Sequence, residues 1–436
     1  MFVTLFIDLV GFSIIFPLFP NMLEFYMGHE STTGLFGALV GGIDRFSAYA
    51  GGTGYDGRLV LFGGVLGSVY SLLQFACAPT IGNLSDRYGR RPVLLVSIAG
   101  LACSYVMWFF AHSFAVLVVA RIIGGIMSGN ISTASAVAAD VTTPRTRSKG
   151  MAVIGIAFGV GFIVGPAIGG ISSKLDLTAY WPALEAYGVN PFSFPALLAF
   201  LFTVFNLALV AARYPETLPK ERRGTSDTVR IANPFRLFHT EAYPGVTLTN
   251  VAWFLFILAF SGMEFSLTFV GRERFHNTPT QNAYMLLFIG IVLAVIQGKY
   301  VHPKSDVRGV KRMSLEGLAC VMPGLAIVGY AKSLPVLYVG LFLMAAGSAM
   351  VMPCMTALAS LYTPLDEQGR VLGVFRSLGA LGRGLGPLFA CAMYWQLGSA
   401  ITYYLVAAFL IAPLLVASRL PKPIDHEHGA LDPAEV

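Results

Sequence analysis

Apolar runs of about twenty residues alternate with short polar segments along the whole chain. Twelve are read, at 2–24, 59–81, 92–111, 115–138, 150–172, 193–212, 247–270, 282–301, 313–331, 335–360, 371–395 and 399–417. About 20 residues of helix cross a bilayer's hydrocarbon core, so each run is long enough to span it. The ten-residue alternation of a membrane β-barrel is not seen. The longest gaps are 25–58 and 213–246, and the second divides the runs six and six. The pattern predicts an all-α membrane protein with twelve transmembrane helices in two pseudo-symmetric six-helix bundles. The expected organisation is an N-terminal bundle over 1–212, a cytoplasmic linker over 213–246, a C-terminal bundle over 247–417 and a cytoplasmic tail over 418–436. Gly165-Pro166 recurs as Gly386-Pro387 at nearly the offset that separates Gly82 from Gly298, as a duplicated six-helix unit would give. The first run lacks the basic n-region and small-residue cleavage site of a signal peptide, so it is read as a retained span.

Composition agrees with this pattern. Of 436 residues, 56 % are apolar and 12 % charged, whereas soluble domains are about half apolar and a quarter charged. Too few charges remain to clothe a soluble surface, and disorder is excluded on the same ground. The formal charge of +6 points to membrane topology, not to nucleic acid. With the N-terminus inside, the inner segments carry most of the Lys and Arg. Among these are Arg87, Arg90, Arg91, Arg145, Arg147, Lys149, Lys220, Arg222, Arg223, Lys304 and Arg308. The outer segments hold only Arg45, Arg58, Lys174, Arg272, Arg274 and Lys332. Positive residues favour the cytoplasmic side, so both termini are expected there. Which membrane is involved stays open between plasma membrane, an organelle and the nuclear envelope. Cys77, Cys103, Cys320, Cys354 and Cys391 all lie within apolar runs, and no disulfide is expected.

Between the second and third runs stands Gly82-Asn83-Leu84-Ser85-Asp86-Arg87-Tyr88-Gly89-Arg90-Arg91. Glycines permit a tight turn, an acid can dock at a helix N-terminus, and arginines can pair with neighbouring acids. A basic stop signal would explain the arginines but not the Gly and Asp spacing. The segment resembles the loop signature of the major facilitator superfamily. That resemblance implies a gating latch in which Asp86 meets the start of the eleventh helix near Gly369 to Val371, while Arg87 or Arg90 reaches Asp140. Gly161, Gly165, Pro166, Gly169 and Gly170, with Gly155 and Gly159 upstream, resemble the antiporter signature of that superfamily's drug exporters. Such a stripe lets helix backbones touch and proline bends the helix, which would suit a moving interface between halves. Ordinary small-residue packing is the competing reading. Pro215-Glu216-Thr217 resembles the segment closing the sixth helix of drug antiporters. In the loop after the eighth run, from Gly298 to Gly309, the signature's spacing is eroded.

Few ionisable residues fall inside the runs. Asp8, Arg121, Glu264, Arg376 and Arg383 are the candidate substrate-binding or proton-coupling residues. An intramembrane charge costs about 3 kcal/mol or more, so each must face protein or water. Asp8 and Glu264 are candidate proton carriers. Arg376 and Arg383 cannot discharge and need anions: an acidic substrate, or Glu264 and Asp8 as structural partners. Arg121 would bind an anion, tune a nearby acid or snorkel to the headgroups. Phe254, Phe256, Phe260, Phe265, Phe269, Tyr284, Phe288, Tyr394 and Trp395 suit a greasy planar ligand, and equally suit packing. The helix from Leu5 to Pro20 resembles the first helix of tetracycline exporters. Arg121 to Ile126, Gly150 to Phe158, Phe260 to Glu264 and Arg376 to Leu381 resemble the eukaryotic tetracycline transporter-like members of the same superfamily.

The resemblance implies a proton-coupled antiporter of amphipathic organic anions or drug-like molecules, working by alternating access as a monomer in the bilayer, and not an enzyme. No cofactor is expected beyond a proton gradient, since P-loop, clustered metal ligands and nucleophile motifs are missing. An uncoupled facilitator of a small organic solute is the first rival, distinguished by transport without a gradient. A transporter-like scaffold acting through 213–246 is the second; its function would survive loss of the cavity arginines.

Overall fold

The computed structural model describes residues 2–30, 57–140, 147–219, 244–301, 309–363 and 368–421, with isolated positions between them. The latter part of loop 25–58, with Asp44, Arg45 and Asp56, lies outside the described residues, as do Arg145, most of the 213–246 linker, Lys304 to Arg308 and the tail from Lys422. The rest is almost wholly helical. Backbone polar groups have no water to bond in a bilayer, and helices satisfy them internally.

Helix α1 runs from Phe2 to His29, broken at the 3-10 turn Phe16–Leu18. Pro17 and Pro20 each occupy the first turn of the segment that follows, where a missing N–H costs nothing. Then come α2 (Gly57–Tyr88), α3 (Arg90–Phe109) and α4, which is Phe114–Met127 continued through the 3-10 turn Ser128–Asn130 into Ile131–Asp140. The N-terminal half closes with α5 (Arg147–Ser172) and α6 (Ser193–Arg213). The C-terminal half holds α7 (Pro244–Phe275), α8 (Pro279–Ile296, with a π turn Gln297–Val301), α9 (Val310–Tyr330) and α10 (Leu334–Leu361). Gly398, at φ 79°, divides Gln368–Phe409 into α11 and α12, and α12 continues as Ile411–Ser418. Among the described residues ten helices are long and apolar enough to cross a membrane. One of these, Val371–Ser418, is two spans joined at Gly398, and Phe114–Asn130 adds a shorter one.

Gly82 was expected to open the loop after the second span, but it lies inside α2. A Cβ there would rest 3.4 Å from Ser132 Oγ, an ordinary contact. The turn falls at Gly89, at φ 104°, where a side chain would be strained and would strike the Glu216 carboxylate.

The halves repeat one packing scheme. α1 packs on α5 as α7 packs on α11, α2 on α4 as α8 on α10, and α3 on α4 as α9 on α10. Between the halves, α2 meets α11 and α5 meets α8. Close contacts between the halves gather at the end opposite the Gly82–Arg91 loop, here the far end. A Cβ on Gly64 would lie 2.6 Å from Cys391 Cβ and 2.9 Å from the Pro387 carbonyl; one on Gly170 would lie 2.6 Å from the Pro279 carbonyl. Thr280 Oγ1 donates to the Gly170 carbonyl at 2.7 Å. Arg272 of α7 grips Glu24 of α1 through two bonds of 2.9 and 2.8 Å. Toward the loop end, Gly298 and Gly373 meet nothing within 4 Å.

Gly169 abuts the Ile14 carbonyl so closely that any side chain must displace α1. Gly169→Leu is expected to destabilise by about 1–3 kcal/mol or more through overpacking. Gly373→Ala should stay within about 0.5 kcal/mol. Thermal melts of the detergent-solubilised proteins check this, and equal melting temperatures would refute the packing.

Candidate functional site

Arg90 organises the loop between α2 and α3. Only 6 % exposed, it meets Asp86 Oδ1 at 2.5 Å, donates from Nε to Asp140 Oδ2 at 3.0 Å and from Nη1 to Ser85 Oγ at 2.7 Å. Of the two arginines expected to reach Asp140, Arg90 does so, while Arg87 lies 5.5 Å from the Tyr88 ring centre. Asp86 makes no hydrogen bond to α11 among the described residues; its carboxylate belongs to Arg90. The Arg370 side chain lies outside those residues. Arg91 Nη2 donates to the Ala211 carbonyl at 2.5 Å.

Glu216, read from sequence only as a positional marker, is the external cap of α3. Its carboxylate accepts from the backbone N–H of Arg90 at 2.9 Å, Arg91 at 3.3 Å and Leu218 at 3.0 Å, with Arg223 at 3.5 Å. The first N–H groups of a helix lack intrahelical partners and attract anions. Burial works to raise this carboxyl's pKa, but the three N–H groups and the Arg223 guanidinium outweigh it and hold it below its usual value.

The glycines of α5 divide between two tasks. A Cβ on Gly161 would lie 2.6 Å from Leu9 Cβ and one on Gly165 2.8 Å from the Val10 carbonyl, and Gly169 meets Ile14. These three pack α5 on α1 inside the N-terminal half, so they do not form the moving interface expected of them. Their four-residue spacing matches one helix face. Gly170, on the adjoining face, meets Ala283 and Pro279 of the other half. Pro166 sits within α5.

The intramembrane ionisable residues form two groups. In the N-terminal half Asp8 is buried, with Oδ2 accepting from Asn130 Nδ2 at 2.7 Å and Oδ1 from Asn206 Nδ2 at 3.2 Å. Its hydrogen-bond partners are therefore neither Arg376 nor Arg383. Arg121 is 3 % exposed and lies 4.2 Å from the Tyr70 ring centre and 5.9 Å from that of Phe12. Its Nε and Nη2 have no hydrogen-bond partner among the described residues. A desolvated cation over an aromatic face gains about 2 kcal/mol. Its burial excludes snorkelling.

In the C-terminal half Glu264 of α7 and Arg383 of α11 line one narrow cavity and attract each other, while Arg376 lies within the field of Arg383. Phe12, Phe16, Gly67, Ser71 and Phe162 of the N-terminal half complete its wall with Ser261, Phe265 and Pro387. The cavity measures about 20 Å³, room for about one water. Of the aromatics expected to serve a ligand, Phe265 alone is in this wall. Phe12, Phe16 and Phe162 were not singled out from sequence, nor were Asn130, Asn206 or the Glu24–Arg272 pair.

Two pseudo-symmetric six-helix halves enclosing a mid-membrane cavity with ionisable walls define a multi-pass membrane transporter of small molecules, not an enzyme. The family model described as Major Facilitator Superfamily matches residues 1–387 and 302–434, and the chain belongs to that superfamily. It is 36 % identical over 447 residues to major facilitator superfamily domain-containing protein 10 of Homo sapiens, covering 97 % of this chain and 92 % of that one. To the class G tetracycline resistance protein of Vibrio anguillarum it is 29 % identical, covering 89 % and 88 %. Among solved structures, the human organic anion transporter MFSD10 (TETRAN) superposes with a TM-score of 0.75 at 34 % identity, covering 95 % of this chain and 97 % of that one.

Glu216→Gln is expected to cost about 0.5–2 kcal/mol at neutral pH, the range of a lost helix cap. Because the folded pKa is depressed, the contribution is complete above the ordinary carboxylate pKa and disappears as pH falls through the folded value. Melting curves of both proteins should therefore differ at neutral pH and converge in acid. A gap that persists in acid would refute the charge-based cap.

Proposed function

We propose that this chain is a proton-coupled antiporter of amphipathic organic anions that works by alternating access. The reading is carried by one observation: Glu264 and Arg383 face a cavity whose wall is shared between the two halves, with Phe12, Phe16, Gly67, Ser71 and Phe162 contributed by the other one. A site shared by two halves is exposed to alternate sides when they rock. Arg376 adds a second guanidinium within the field of the first. Guanidinium groups at such a cavity suit an anionic headgroup, and Phe12, Phe16, Phe162 and Phe265 suit an apolar body. The resemblance to a solved organic anion transporter supports the same substrate class.

The basic loop end is the cytoplasmic side by the positive-inside rule, with both termini on that side and the halves bounded at 1–212 and 247–417. The molecule functions as a monomer in the bilayer. This conformation is then closed outward by Gly64, Gly170 and the Glu24–Arg272 pair. Substrate enters from the cytoplasmic side as α7 and α11 part from α1 and α5 and widen the cavity. Asp8 and Glu264 are the carriers of the exchanged proton, and Arg383 releases Glu264 when an anion takes its place.

Purified protein in liposomes, given a radiolabelled aryl sulfonate and an imposed pH gradient, tests the reading. Gradient-driven accumulation should fall at least about tenfold in Arg383→Ala, equivalent to about 1.4 kcal/mol of lost interaction. Equal accumulation by the variant would place the anion elsewhere, and equilibration indifferent to the gradient would make the protein a facilitator.

A further inference from the structure

The two carboxamides at Asp8 come from different helices. Asn130 stands in the 3-10 turn that interrupts α4, and Asn206 belongs to α6. Asn130 is 1 % exposed and Asn206 0 %. Each gives its Nδ2 to one oxygen of Asp8, at 2.7 and 3.2 Å, and Asn206 Nδ2 also reaches the Thr4 carbonyl at 3.4 Å. Among the described residues, the Oδ1 atoms of both asparagines are buried without a hydrogen-bond partner.

This arrangement suits a carboxylate, which only accepts. A neutral carboxylic acid must also donate its O–H, and an amide N–H cannot receive it. Turning the Asn130 amide about its Cβ–Cγ bond exchanges Nδ2 for the orphan Oδ1 and supplies the missing acceptor, while Asn206, held by the Thr4 carbonyl, goes on donating. The same two side chains thus serve both protonation states inside the bundle.

We propose that Asn130 and Asn206 form a carboxamide cradle that holds Asp8 in its charged and its neutral form, so that Asp8 can take up and release a proton inside the bundle. They are positioning residues, and the inference rests on Asp8 being a carrier of the coupled proton. Around the cradle, the phenols of Tyr70 on α2 and Tyr105 on α3 interact electrostatically with both Asp8 and Arg121 of α4. Gly161 and Gly165 of α5 and Asn206 of α6 form the other faces against α1. Local 3-10 winding within a helix marks a place where the backbone adjusts, and Asn130 sits at one.

Infrared difference spectroscopy of the purified full-length protein tests this without a substrate. The protonated-carboxyl band of Asp8 is identified by its loss in Asp8→Asn and followed across roughly pH 4 to 10. In Asn130→Leu and Asn206→Leu the charged form loses a donor, and the midpoint should move by about one unit or more toward alkaline pH. Asn206→Ser, whose hydroxyl both donates and accepts, should return the midpoint toward that of the unaltered protein. It also keeps the test open if the leucine variants do not fold. Midpoints unchanged within about 0.3 unit in folded variants would overturn the cradle while leaving Asp8 as a proton carrier. A band that does not titrate in the unaltered protein would overturn both.

Discussion

A charge inside a bilayer must be answered by protein or water, at a cost of about 3 kcal/mol or more if it is not. The fold is arranged around the few charges this chain places there. In the N-terminal half Asp8 is answered by amides and Arg121 by aromatic faces. In the C-terminal half Glu264 and Arg383 attract each other across a cavity wall, and Arg376 lies within the field of Arg383. The first arrangement is enclosed by one bundle. The second borders the seam between bundles, which is why the anion is assigned there. Phe12 belongs to both, with its ring near Arg121 and in the cavity wall, so a movement of α1 reaches the two groups together.

Backbone proximity is the second device. Glycines on α5 bring it against α1 so tightly that the Ser13 hydroxyl reaches the Gly161 carbonyl at 3.2 Å. Gly64, Gly170 and Gly384 do the same between halves, where separation means exchanging protein contacts for water or lipid. The bidentate Glu24–Arg272 pair joins the same far-end closure. A part-exposed ion pair is worth about 1 kcal/mol or less, a modest addition to the glycine contacts there. At the loop end, Arg90 binds the ends of α2, α3 and α4 into one body and Glu216 attaches the end of α6.

The twelve spans were legible because twenty apolar residues in a row have few other uses. That an arginine of the loop reaches Asp140 was legible from the motif's resemblance, but the choice between Arg87 and Arg90 needed the fold. The turn was misplaced from Gly89 to Gly82 because a glycine inside a helix and a glycine at a positive φ look alike until the backbone is known. The stripe on α5 was assigned to the wrong contact for a related reason: spacing defines a face, but not which helix covers it. Asn130 and Asn206 carry no charge and lie in apolar runs, 122 and 198 positions from Asp8. Only the tertiary fold brings them together. Phe12, Phe16 and Phe162 were hidden among many aromatics, most of which pack.

In the proposed mechanism two halves rock about the cavity, and among the described residues they meet most closely at the far end. Spin labels at Tyr180 and Tyr330 report the far end, and labels at Tyr88 and Arg312 the loop end, all at exposed positions. Distances between each pair should be measured in liposomes while pH is varied and the organic anion is added. The account predicts opposite changes: the far-end distance lengthens as the loop-end distance shortens. Distances that stay fixed, or lengthen together, would contradict it.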